Sequence, residues 1–73
     1  MNATPTIADF QVTGMTCGHC EMSVREEIEE LAGVSGITVS AQTGKLRVET
    51  DGTVSDEAIT AAVTEAGYSA VRV

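Results

Sequence analysis

Apolar and polar residues alternate near the start of the chain in a pattern that predicts a β-strand. Over residues 6–12, Ala8, Phe10 and Val12 alternate with polar side chains. This two-residue period is typical of a strand with one buried face. Pro5 directly before the segment disfavours a helix there, so we expect the chain to open with a strand.

The middle of the chain predicts a β-hairpin by the same reasoning. Apolar residues alternate with polar ones over residues 37–41 and again over residues 46–49. The polar segment 42–45 between them contains a glycine and has the composition of a turn.

Two other segments have the spacing of helices. Cys20, Val24, Ile28 and Leu31 are separated by four, four and three residues, which places them on one stripe of a helix. Gly33 provides a C-terminal stop for this helix.

The second helix is predicted to follow Ser55, whose hydroxyl suits an N-cap ahead of two acidic residues. It runs to about Ala66, and Gly67 caps it. Its predicted buried stripe consists of Ile59, Ala62, Val63 and Ala66.

The chain closes with a further strand after Tyr68, because Val71 and Val73 alternate around Arg72. The order strand, helix, strand, strand, helix, strand predicts an α+β fold. We expect a ferredoxin-like βαββαβ sandwich, in which a four-stranded antiparallel sheet carries both helices on one face. No repeat or linker interrupts the pattern, so residues 1–73 are predicted to form one domain with its core over about residues 6–73.

Length and charge then exclude several functional classes. The chain has 73 residues and a formal net charge of -7, from 4 Lys and Arg against 11 Asp and Glu. A domain of this size buries only about 60% of the surface of its unfolded chain, which leaves no room for a deep substrate cavity, and we expect no enzyme. Nucleic acids and anionic membranes both require a basic surface, so neither is an expected partner. The absence of a signal peptide and of a long apolar run predicts a cytoplasmic protein.

The two cysteines, Cys17 and Cys20, point to chemistry rather than to a structural disulfide. A reducing compartment disfavours a disulfide, and a loop this short would restrain little of the unfolded chain. Cys17 is predicted on a loop and Cys20 in the first turn of the first helix, so the two sulfurs converge above the helix N-terminus. The N–H groups and the helix dipole there stabilise thiolates.

Thiolates are soft ligands that select cuprous copper, zinc or iron–sulfur clusters. Structural zinc and iron–sulfur sites normally require four protein ligands, whereas this chain offers two cysteines and one histidine. Cuprous copper accepts two thiolates, and ligand counting therefore favours Cu(I).

Residues 14–20, which read Gly-Met-Thr-Cys-Gly-His-Cys, resemble the metal-binding loop of heavy-metal-associated domains. These domains are small copper chaperones and the N-terminal modules of copper-transporting P-type ATPases, and the resemblance extends over residues 6–73. It implies that Cys17 and Cys20 bind one Cu(I) and transfer it by ligand exchange to the metal-binding domain of a copper-transporting P-type ATPase. A chain of domain length that starts at Met1 is more similar to the chaperones than to a fragment of an ATPase. A homodimer bridged by copper is a further possible assembly.

Two alternatives arise from the same cysteines. Residues 17–20, Cys-Gly-His-Cys, are also the tetrapeptide of protein disulfide isomerases, which suggests a thiol–disulfide oxidoreductase. The thioredoxin fold of those enzymes is longer, has an aromatic residue where Thr16 stands, and needs a proline beside the cysteines, whereas the only proline here is Pro5. A mercury- or zinc-binding module is the other alternative. Mercury carriers of the family are usually exported, and zinc-binding members tend to have Asp at the position of Thr16.

Several residues are candidates for supporting the cysteine loop: Met15, Thr16, Gly18, His19 and Tyr68. Met15 offers a thioether, but a core role is favoured. His19 is expected to point into solvent rather than to act as a third ligand. Tyr68 follows the cap of the second helix beside the cysteine loop, where it either packs at the edge of the core or shields the metal.

Glutamates crowd the first helix, and the ordinary interpretation is a solvated face. The alternative is a docking surface for a basic partner domain. The residues concerned are Glu21, Glu26, Glu27, Glu29 and Glu30.

Overall fold

The computed structural model describes residues 5–15 and 18–73 of the chain. Within them the secondary structure follows the predicted order. The elements are β1 (Thr6–Thr13), α1 (Gly18–Glu29), β2 (Val34–Val39), β3 (Lys45–Thr50), α2 (Asp56–Glu65) and β4 (Ser69–Arg72). The largest difference from the prediction is β2, which begins three residues earlier than expected and pairs with β3 through a bulge near its start.

The strands form one antiparallel sheet in the order β2-β3-β1-β4. The helices contact each other, and α1 packs beside β2 while α2 packs beside β4, so both cover the same face of the sheet. This arrangement confirms the predicted ferredoxin-like fold.

The core lies between the sheet and the two helices. It contains the predicted strand residues Ala8, Phe10 and Val12, of which Phe10 is 1% exposed. The helices contribute Cys20, Val24, Ile28, Ile59, Ala62 and Val63. Leu31 was predicted on the α1 stripe, but it lies beyond the end of the helix and is only partly buried.

The termini of α2 follow from local chemistry, as predicted. The Ser55 hydroxyl accepts a hydrogen bond from the backbone N–H of Ala58 at 3.1 Å, which satisfies one of the unpaired donors of the first turn. At the other end, Ala66 is the C-cap, and Gly67 follows with a φ of 95°. A left-handed residue at this position is the usual end of a helix.

The valines of the closing strand suggest that they face the core, but in the structure they face solvent. Val71 and Val73 are 61% and 67% exposed, whereas Ala70 packs against the core. The pairing with β1 sets this register, and it places Arg72 opposite Phe10 on the helical side of the sheet. The Arg72 guanidinium carbon lies 5.8 Å from the centre of the Phe10 ring, a cation–π contact that a valine would not provide.

The charge of the molecule is concentrated in its helical layer. Eight of the 11 carboxylates and one of the 4 basic residues lie in α1, in α2 or at Glu30 directly after α1. The sheet and its loops carry the remaining three acidic and three basic side chains, so they are neutral overall. The helical layer therefore accounts for the whole net charge of -7.

The connection from β1 to α1 lies at the same end of the sheet as two other connections. Gln11 pairs with Lys45, and Thr13 pairs with Ser69. The turn between β2 and β3 and the loop before β4 are therefore neighbours of the segment that enters α1.

None of the helices within residues 5–15 and 18–73 combines the length and the apolar composition needed to cross a membrane.

Candidate metal centre

Cys20 lies in the first turn of α1 and is 8% exposed. It belongs to the same core cluster as Met15 and Val24. Because Cys20 is on the buried stripe of the helix, its side chain is held at the junction between α1 and the core. Cys17, the other predicted ligand, and Thr16 lie outside the described residues.

The N-terminus of α1 gives this position its electrostatic character. The helix begins at Gly18, so the backbone N–H groups of its first turn have no carbonyl partner within the helix. These groups and the helix dipole stabilise negative charge at this end of the helix. A thiolate sulfur is a ligand for soft cations.

Met15 and His19 occupy opposite environments on the two sides of the cysteine segment. Met15 is 8% exposed and is part of the core cluster, which confirms the predicted core role. His19 is exposed, as predicted. Gly18 is exposed as well, and a Cβ at Gly18 would meet no atom within 4 Å, so space does not demand glycine at this position.

Tyr68 lies against the segment that leads into the cysteine pair. It is partly buried and packs on the core cluster. A Cβ built at Gly14 would lie 3.3 Å from Cδ1 of the Tyr68 ring, so the ring covers the backbone at Gly14. Gly14 has a φ of 100°, a conformation that other residues rarely adopt. The predicted proximity of Tyr68 to this loop is therefore present.

Glu21 differs from the interpretation that the sequence suggests. Its carboxylate oxygen Oε2 accepts a hydrogen bond from the backbone N–H of Ala41 at 2.6 Å. It is thus held at the turn between β2 and β3 and does not belong to a freely solvated face. Glu26, Glu29 and Glu30 are exposed, as that interpretation predicts.

Known proteins similar to this chain include both small proteins and large enzymes. A COP-associated protein of Helicobacter felis is 42% identical over 60 residues, which cover 82% of this chain and 91% of that protein. The copper chaperone CopZ of Bacillus subtilis is 38% identical over 64 residues, with 86% and 93% covered. A mercuric reductase of Serratia marcescens is 38% identical over 62 residues, which cover 85% of this chain but only 14% of the enzyme. The chain thus spans a small part of the reductase and nearly the full length of the other two.

Solved structures of similar sequence have the same fold. The N-terminal domain of ZntA in its apo-form has a TM-score of 0.87 at 31% identity, with 96% of this chain and 94% of that chain covered. Apo-CopP from Helicobacter pylori has a TM-score of 0.79 at 35% identity, with 90% and 100% covered.

The family model described as Heavy-metal-associated domain matches residues 9–69, which include the cysteine pair, both helices and most of the sheet. The copper chaperones of this family are metal-binding modules without enzymatic activity, which argues against the oxidoreductase alternative. The chain belongs to the heavy-metal-associated domain family and is a metal-binding module of that family.

Proposed function

We propose that Cys17 and Cys20 bind one Cu(I) and that the chain delivers this ion to a copper-transporting P-type ATPase in the cytoplasm. The observation that carries the proposal is the position of Cys20, 8% exposed in the first turn of α1 within a fold of the heavy-metal-associated family. The near full-length similarity to the copper chaperone CopZ supports copper as the cargo.

The chemistry of transfer follows from the small number of ligands. Two thiolates satisfy Cu(I) and leave room for a third. A thiolate of the recipient bonds to the copper, after which one of the original sulfurs leaves and the second exchange completes the transfer. Copper remains Cu(I) throughout, so the transfer consumes no oxidant or reductant.

The residues around the pair would support this exchange without binding copper themselves. Met15 belongs to the core cluster, and Tyr68 covers the backbone at Gly14. Gly18 and His19 are exposed, so both lie on the solvent side. We propose that Tyr68 limits access of competing thiols to the copper.

The recipient would present a basic face to α1. Exposed glutamates follow the cysteine segment along this helix, and they include Glu26 and Glu29. Opposite charges on two docking surfaces accelerate encounter and orient the partners. A homodimer bridged by copper is the competing arrangement when no recipient is present.

A different metal in the same cysteine pair is the second candidate. It is favoured by the similarity to a mercuric reductase and to the N-terminal domain of ZntA. A P-type ATPase from Shigella sonnei whose named cargo is zinc, cadmium and lead is also related to this chain. Zn(II) prefers four ligands, so a two-cysteine site should bind it more weakly than Cu(I).

Competition titration of the reduced protein against a cuprous chelator tests the proposal. We expect one Cu(I) per chain. Cys17→Ser or Cys20→Ser should weaken Cu(I) binding by more than about 100-fold, because losing a ligand costs more affinity than losing a hydrogen bond to a ligand. Met15→Leu removes a sulfur at similar volume and should bind like the parent. Parent-like affinity in either serine variant would overturn the assignment, and tighter binding of Zn(II) or Hg(II) in parallel titrations would favour the second candidate.

A further inference from the structure

The hydrogen bond from Ala41 N–H to Glu21 connects α1 to the turn between β2 and β3. It spans 20 residues of sequence, measures 2.6 Å and is partly buried. A carboxylate acceptor makes such a bond stronger than one between neutral groups. Glu21 directly follows Cys20, so the bond is attached to the helix turn that carries the candidate metal ligand.

The turn that donates this hydrogen bond is itself fixed to β1. The side-chain amide of Gln11 donates to the carbonyl of Thr43 at 3.0 Å. The backbone N–H of Val12 donates to the carbonyl of Gly44 at 2.7 Å. The turn is therefore anchored on the strand that leads into the cysteine segment.

The approach of the turn to β1 is close enough to require glycine. Gly44 has a φ of 73°, and a Cβ there would lie 2.7 Å from the carbonyl oxygen of Val12. Any larger residue at this position would push the turn away from the strand. The turn thus offers Glu21 a fixed donor rather than a mobile one.

From these contacts we infer that Glu21 is a positioning residue for the metal site: its hydrogen bond to Ala41 holds the first turn of α1, and with it Cys20, in the geometry that binds the metal. The inference rests on the proposed role of Cys20 as a ligand. A ligand held in place needs less ordering on metal binding, so releasing the bond should loosen metal retention.

Three variants separate the hydrogen bond from the charge. Glu21→Ala removes both, whereas Glu21→Gln removes the charge and keeps an oxygen that can accept from Ala41. Glu65→Ala is the matched control, because Glu65 is an exposed helical glutamate that lies on α2 and not on the helix of Cys20. For each variant we would measure the rate of Cu(I) release to excess chelator, amide hydrogen exchange at Ala41, and the urea midpoint of unfolding.

We expect Glu21→Ala to release Cu(I) roughly tenfold faster, the lower end of the effect of losing outer-shell support around a metal ligand. Exchange at Ala41 should accelerate in the same variant. Glu21→Gln keeps a weaker, neutral acceptor and should fall between the parent and Glu21→Ala, whereas Glu65→Ala should remain close to the parent. The inference is overturned if Glu21→Ala releases copper at the parent rate, or if Glu21→Gln behaves like Glu21→Ala. If the parent binds no Cu(I), the proposed function fails instead, and accelerated Ala41 exchange in Glu21→Ala alone would still report the bond.

Discussion

The side chain of Tyr68 packs against the backbone at Gly14, next to the segment that leads into the cysteine pair. The aromatic ring occupies the space beside Gly14 that a Cβ would enter, and the φ of 100° at this glycine already restricts the position to glycine. The Tyr68 ring therefore packs on the backbone of Gly14, where the chain leaves β1. Removing the ring would expose the backbone at Gly14.

We predict that Tyr68→Ala accelerates copper transfer to glutathione, because small thiols would then reach the metal from this side. The variant should fold. Its free energy of unfolding should be lower by about 2 kcal/mol, because only part of the lost aromatic side chain was buried in the core. Stopped-flow transfer at several glutathione concentrations is the measurement.

The control for this experiment is Tyr68→Phe, which keeps the ring and removes the hydroxyl. If shielding by the ring is the cause, this variant should transfer copper at the parent rate. An unchanged rate in Tyr68→Ala would assign Tyr68 to core packing alone.

Sequence reasoning at this scale succeeds where the local surroundings decide the outcome. Met15 and His19 are assigned to core and solvent from their positions beside a loop and a helix start, and both assignments are confirmed. Glu21 could not be assigned this way. Its partner Ala41 lies 20 residues away, and only the assembled fold brings the two together.

At the scale of elements, periodicity predicts the helices and three strands, but not which face β4 presents to the core. Val71 and Val73 alternate with Ala70 and Arg72, so both faces of this short strand have apolar content. The pairing of β4 with β1 decides between them. A one-residue change in register would exchange the two faces, which is why a short strand cannot be oriented from its own pattern.

The connection between β3 and α2 gives the fold a sensitivity to acid. Asp51 accepts hydrogen bonds from the backbone N–H and the hydroxyl of Thr53, and these hold the pKa of Asp51 below its ordinary value of 3.8. On the open face of the sheet, the hydrogen bond from Arg47 likewise lowers the pKa of Asp9. Both carboxylates stabilise the fold above the pKa of the unfolded chain, and their contribution is lost as pH falls through the folded values.

We therefore predict that unfolding by urea becomes easier below about pH 4, where these carboxylates begin to take up protons. Asp51→Asn cannot titrate, although its side-chain oxygen can still accept from Thr53. Its urea midpoint should consequently fall less with acidification than that of the parent. Identical pH dependence of the two proteins would mean that Asp51 contributes nothing to acid sensitivity.

At the scale of the whole molecule, the charge is divided unequally between the helical layer and the sheet. The helical layer carries the entire net charge, and the sheet layer is neutral overall. The candidate metal centre lies where α1 begins, at one end of the charged layer. We propose that a basic partner approaches the helical layer at this end.

We predict that copper transfer to a basic recipient domain slows as the salt concentration rises. The Debye length falls from about 10 Å at 0.1 M to about 3 Å at 1 M, which weakens the attraction between the two charged surfaces. Replacing Glu26 and Glu30 by Lys should slow transfer further while the affinity for copper stays the same. Stopped-flow transfer to the ATPase metal-binding domain at several ionic strengths measures both effects.

A matched pair of single variants separates position from net charge in that experiment. Glu26→Lys and Glu49→Lys change the net charge equally, but Glu26 lies on α1 and Glu49 lies on β3. Only the first should slow transfer strongly. A rate independent of salt, or equal slowing by both variants, would leave the glutamates with a role in solubility alone.

The position of Tyr68 also gives the protein an intrinsic optical signal. The chain contains one tyrosine and no tryptophan, so its ultraviolet-excited fluorescence comes almost entirely from this single ring. The ring lies against Gly14, one residue before Met15 and the cysteine segment. Changes at the segment that enters the candidate metal centre are thus expected to alter the emission of the unlabelled protein, with no second fluorophore to obscure them.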